Sequence, residues 1–146
     1  MNDTAKDNLY TVDVDSTKKT LTVQNHGLQL HLFDTSGQER SHATISGFIR
    51  HSTVFIVVYD VTDLISFSHT NKWVDVVRSE HGNDSIIVLC GNKIELVGQR
   101  EVTTAEGERK AKELGTMFIE TSAVAGPNVT VVSACLNSLN SASRVF

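Results

Sequence analysis

The sequence predicts an α/β domain built on an open, mainly parallel sheet with helices on both faces, and three observations carry that prediction. Residues 54–59 (Val-Phe-Ile-Val-Val-Tyr) and 86–90 (Ile-Ile-Val-Leu-Cys) are unbroken apolar runs of strand length, the pattern of strands buried on both sides. A third, shorter run covers 117–119 (Met-Phe-Ile). Helical patterns with short connections separate the runs, and strand alternating with helix is the grammar of a parallel sheet.

The first element stands apart from that grammar. Thr20-Leu21-Thr22-Val23 and Leu28-Gln29-Leu30-His31-Leu32 alternate polar and apolar residues around Asn25-His26-Gly27, which predicts an antiparallel hairpin with one buried face. Beyond the run at 54–59, Phe67, Val74 and Val77 recur near helical spacing with Trp73 and Val76 beside them, so Trp73 reads as core packing. A second, polar helix is predicted over 104–114, opened by a capping box of Thr103 with Glu106 and closed by Gly115 as a left-handed cap. The last helix is expected to start near Asn128, just after Pro127.

Composition narrows the function. A chain of 146 residues, 40% hydrophobic and 21% charged, suits one ordinary domain. Its net charge of −4, with dispersed lysines and arginines, argues against a nucleic-acid partner. The polar start Met1-Asn2-Asp3-Thr4 offers neither a signal-peptide core nor a myristoylation glycine, and the expected location is cytoplasmic. Cys90 and Cys135 fit reduced thiols, and the histidines lack paired metal-ligand spacing.

Parallel α/β sheets place ligands at the carboxyl ends of their strands. Three polar clusters occupy such positions: Asp34-Thr35-Ser36-Gly37-Gln38-Glu39, Gly91-Asn92-Lys93-Ile94-Glu95 and Glu120-Thr121-Ser122-Ala123. A carboxylate suits a hydrated hard cation, a glycine lets backbone approach a phosphate, and an amide can both donate to and accept from a water.

In order and spacing the clusters resemble the guanine-nucleotide motifs of small GTPases, and within them the Rab family. The resemblance is close to the Golgi-associated Rab subgroup numbered six, through Lys72-Trp73, Glu106-Gly107-Glu108-Arg109-Lys110-Ala111 and Met117-Phe118-Ile119-Glu120-Thr121-Ser122-Ala123. The resemblance implies a P-loop NTPase-like fold and a GTP-hydrolysing switch of vesicle traffic at Golgi or vesicle membranes, with Mg2+ and GTP or GDP as cofactors and Rab effectors and regulators as partners. It implies that Gln38 orients the attacking water and that Thr11 and Asp34 serve the metal. It also implies that Gly37, Asn92, Lys93, Glu95, Ser122 and Ala123 join those two in binding nucleotide, and that Ser16, Phe33 and Phe48 form the effector surface.

The pattern also departs from the family. Thr11, at the position of the switch threonine, lies close to the first residue, so the expected fold lacks the family's first strand, its P-loop and its first helix. Residues 1–10 are expected to be a disordered segment, 11–140 an incomplete small GTPase domain and 141–146 a short tail without prenylation cysteines or a direct membrane anchor. Losing about five charge-assisted hydrogen bonds would cost roughly 7 to 15 kcal/mol. Nanomolar affinity amounts to about 12 kcal/mol, so nucleotide binding is expected to be impaired. Glu95 stands where the family has aspartate, Val124 where it usually has lysine, Ser16 where it has phenylalanine and Phe33 where it has tryptophan. Two other readings remain open from the sequence: a non-catalytic Rab-like interaction module, and a truncated product without stable function.

Overall fold

The computed structural model describes residues 14–23, 26–35 and 42–124. The chain divides into two compact units, Met1–His51 and Ser52–Phe146. In the first, β1 (Val14–Val23) and β2 (His26–Thr35) pair antiparallel, with Val23 opposite His26 and Val14 opposite Thr35. The hairpin is longer than the alternation implies, and His26 and Gly27 belong to β2 instead of the turn. Ladder hydrogen bonds come from backbone, so the polar stretch of β1 pairs as readily as the apolar one.

One buried face was expected of this ribbon: the side chains of Leu21, Val23 and Leu28, which carry most of that expectation, lie outside the described ones, and Leu30 is half-buried. Ser16, Thr17, Lys18, Lys19 and Thr20 are exposed, while Leu32 and Phe33 keep 40% and 39% of their surface in solvent. Two strands shield little area by themselves. The first unit also contains α1 (His42–His51), a helix the sequence patterns do not predict. Among its described side chains Ile45 and Ile49, one helical turn apart, are buried.

The second unit follows the predicted grammar. Strands β3 (Val54–Asp60), β4 (Ile86–Asn92) and β5 (Met117–Glu120) form a parallel sheet in that order. Between them run α2 (Leu64–His81) and α3 (Thr104–Leu114), with a short 3-10 turn at Val97–Gln99. Asp63 caps α2 by accepting from the Ile65 amide at 2.8 Å. Thr103 and Glu106 make the reciprocal capping box at α3, and Gly115 closes it at φ 61°, ψ 39°, as expected. Arg78 reaches from α2 to the last carbonyl of α3, that of Leu114.

Both helices pack on one side of the sheet. The Phe67 ring of α2 lies 4.9 Å from Tyr59. Gly107 of α3 comes so near the sheet that a Cβ there would sit 2.5 Å from the Tyr59 hydroxyl. Phe55, Val57 and Tyr59 of β3 are accordingly buried, whereas Ile56 and Val58 on its other face are 41% and 56% exposed. Helices on both faces are therefore not seen among the described residues. An apolar run reports the propensity to be covered, and the cover must come from elements elsewhere in the chain. The last predicted helix, from Asn128, lies outside the described residues, as do Cys135, residues 1–10 and the tail.

Candidate functional site

The site grows from the register of the parallel sheet. Pairing of Tyr59 with Gly91 and of Asp60 with Asn92 ends β3 and β4 level with one another, so two polar residues emerge side by side at their carboxyl ends. The Val61 amide donates to the Asn92 carbonyl at 3.0 Å and extends the ladder one step past β3. Lys93 then takes φ 68°, the left-handed region that costs a side-chain-bearing residue about 1–2 kcal/mol. The Leu96 amide closes the turn on the Lys93 carbonyl at 3.0 Å, and the Ile94 amide donates to Thr121 at 3.3 Å.

This turn leads the lysine back over the end of β3. Its Nζ lies 2.6 Å from Asp60 Oδ2, with the Lys93 side chain half exposed and that of Asp60 21% exposed. The other carboxylate oxygen accepts from the Thr62 amide at 2.8 Å and the Thr62 hydroxyl at 2.7 Å, and the Asp60 amide donates to Ser66 Oγ at 3.0 Å. Burial alone would push the Asp60 carboxyl up. Hydrogen bonds from Lys93 and Thr62 outweigh it and hold the group below its ordinary value.

The third strand brings its cluster to the same corner. The Thr121 amide donates to the Gly91 carbonyl at 2.7 Å, which carries β5 one residue past Glu120. Thr121 Oγ1 lies 3.4 Å from Asn92 Oδ1, to which it donates, and 3.4 Å from Cys90 Sγ. Thr121 and Ser122 are buried, Ala123 and Val124 exposed. Cys90 is buried in the core, and that burial pushes its thiol up. Below this corner Arg100 grips Glu120 through two bonds of 2.7 and 3.3 Å, and Thr104 adds a third to the same carboxylate at 3.1 Å. Glu95 is exposed at the surface of the turn.

Asn92, Lys93, Ser122 and Ala123 are thus gathered at the ends of two neighbouring strands. A primary amide, a half-exposed ammonium and a polar turn can together recognise a planar, hydrogen-bonding heterocycle. In the first unit, Ser16 pairs with Phe33 across the hairpin, and the Phe33 ring lies 4.9 Å from Phe48 of α1. The three residues expected on an effector surface are therefore adjacent. Asp34 is an exposed carboxylate opposite Asp15. Thr11, Gly37 and Gln38 lie outside the described residues.

Asp60, Thr62 and Arg100 were not among the sequence candidates. Asp60 follows an apolar run, so the strand-end rule that found the other clusters points to it as well. Arg100 leaves no comparable signal, because its partner is 20 residues away. Among the described residues no group of three or more His, Cys, Asp or Glu side chains could hold a metal ion, and no helix is long and apolar enough to cross a membrane. A model of the Ras family matches residues 2–139 of the chain.

Proposed function

The chain belongs to the Ras family of small GTPases, and from that premise we propose that it is a Rab-type member, a guanine-nucleotide switch of vesicle traffic of the Golgi-associated kind. The observation that carries the nucleotide part is the corner where Asn92 and Lys93 stand beside Thr121 and Ser122 at the ends of β4 and β5. In this reading the Asn92 amide contacts the base, the Lys93 stem lies along the nucleotide, and the turn at Ser122-Ala123 meets the guanine carbonyl. The donor types fit that role: amide and backbone groups read a base edge, and a lysine with two spare protons can add a contact to the ligand.

Magnesium, when bound, neutralises phosphate charge and orders the attacking water. Asp34, an exposed carboxylate, is the oxygen donor this chain would offer a hydrated magnesium ion, with Thr11 beside it in the role and Gln38 positioning the water. These 146 residues contain no glycine-framed GxxxxGK[ST] loop. We therefore expect the polypeptide by itself to hold guanine nucleotide weakly, through its base more than its phosphates.

A second reading, an interaction module that works without hydrolysis, is favoured by one observation. The Phe33 and Phe48 rings pack together while Phe33 and Leu32 stay well exposed, which is how an aromatic anchor for a partner protein is presented. Rab effectors and regulators are the partners this reading expects.

The two are separated by titrating a fluorescent guanine nucleotide into the 146-residue chain, with magnesium and then with chelator, beside an adenine nucleotide. Saturable binding that prefers guanine supports the switch. No saturation with either base, together with retention on a Rab effector, supports the interaction module.

A further inference from the structure

Lys93 enters a left-handed turn and ends 2.6 Å from a carboxylate whose other oxygen is already held twice by Thr62. We propose that Asp60 is a positioning residue for the nucleotide site, fixing the Lys93 ammonium over the end of β3 so that its stem offers a ready-made shelf for a purine nucleotide. The inference rests on the guanine-nucleotide reading above and deepens it.

One general argument and two observations support positioning over a casual surface pair. A free lysine stem has about 2 kcal/mol of rotamer entropy, so leaving it mobile would weaken any ligand that must order it. Asp60 is in turn fixed from three directions, by the Thr62 amide, the Thr62 hydroxyl and the Ser66 hydroxyl on its own amide. Third, the register that sets Asp60 level with Asn92 makes the contact a property of the sheet and not of a loose loop. An ion pair as exposed as this one adds little to stability. Its effect should therefore appear in binding and not in melting.

Asp60→Asn, Lys93→Met, the double variant and Thr62→Val are titrated with GDP and with GMP to millimolar concentration, and amide NMR shifts report both affinity and fold. Asp60→Asn is expected to weaken both ligands about tenfold, a cost of about 1.4 kcal/mol, with the spectrum unchanged outside the corner. Thr62→Val, which removes the hydroxyl bond to Asp60 Oδ1, leaves the Thr62 amide bond to the same oxygen and keeps the charge, should weaken them about threefold, near the lower end of what one hydrogen bond contributes.

The double variant should bind no worse than Lys93→Met, because Asp60 acts through that lysine. Wild-type affinity in Asp60→Asn, or independent effects of the two substitutions, would overturn the proposal and leave the guanine reading standing. Absence of any saturable shift in the wild-type chain would overturn both. If Asp60→Asn does not fold, Thr62→Val decides by the same criteria.

Discussion

Tyr59 is only 1% exposed, yet among the described residues its hydroxyl has no hydrogen-bond partner. Burial, and after it the charge of Glu120, pushes the phenol up to about 12 from its ordinary value near 10. The folded pKa lies above the unfolded one, so the associated stability is complete below pH 10 and declines as the pH rises towards 12. Tyr59→Phe should remove this tyrosine's share of the alkaline loss. At neutral pH it should leave stability unchanged or raise it by up to about 1 kcal/mol, since it deletes a desolvated group with no partner. Urea unfolding at neutral and alkaline pH checks both statements, and a neutral-pH loss above about 1 kcal/mol would mean the hydroxyl has a partner. Asp60 runs the other way. Its carboxyl is held below the ordinary value, so the Lys93 contact persists above the usual carboxylate range and is lost as the pH falls through the lowered pKa. Asp60 carboxyl shifts followed by NMR from pH 6 down to about 2 should show a midpoint below the ordinary value near 3.9 in wild type and a higher one in Lys93→Met.

At the scale of elements, the close approach of α3 to the sheet is set by a residue without a side chain. A Cβ at Gly107 would lie 2.5 Å from the Tyr59 hydroxyl and 2.6 Å from the Phe118 ring. Alanine normally improves a helix by about 1 kcal/mol over glycine. Here overpacking should prevail, and Gly107→Ala is expected to destabilise by about 1–3 kcal/mol in denaturant titrations. Strand β3 offers a paired test of its two faces, because Val57 is 7% exposed and Val58 56%. Val57→Ala should cost about 2 kcal/mol and Val58→Ala less than about 0.5 kcal/mol. Comparable losses at both positions would show that Val58 is covered in solution. Helices α2 and α3 and strands β3 to β5 were legible because their signals are local: an apolar run, a capping pair at Thr103 and Glu106, a glycine at 115. That the helices among the described residues cover only one face of β3 was not legible, since it depends on which helices reach the sheet. Nor was α1, whose buried residues Ile45 and Ile49 make too short a stripe to stand out among polar neighbours.

For the whole molecule, the same division between local and distant signals governs the site. Asn92, Lys93, Ser122 and Ala123 could be read from their places after apolar runs, but the ion pair that orients Lys93 joins residues 33 positions apart, 93 against 60, and needs the β3–β4 register to be known. Ligand binding ties these parts to global stability, because a ligand held only by the folded chain stabilises it by RT ln(1 + [L]/Kd). GDP should therefore raise the melting temperature of the chain more than ADP does at equal millimolar concentration. Glu95 then becomes a specificity test at molecular scale. Its carboxylate sits one methylene further from the backbone than the aspartate of the family motif, and a displaced partner for a base edge loses affinity and discrimination together. Glu95→Asp is expected to tighten GDP about tenfold and leave ADP unchanged. At saturating ligand that adds about 1.4 kcal/mol to the GDP-linked stabilisation alone. Equal shifts with both nucleotides would mean that the substitution acts on the fold and not on the base. A gain confined to GDP would place guanine recognition on the turn that follows β4.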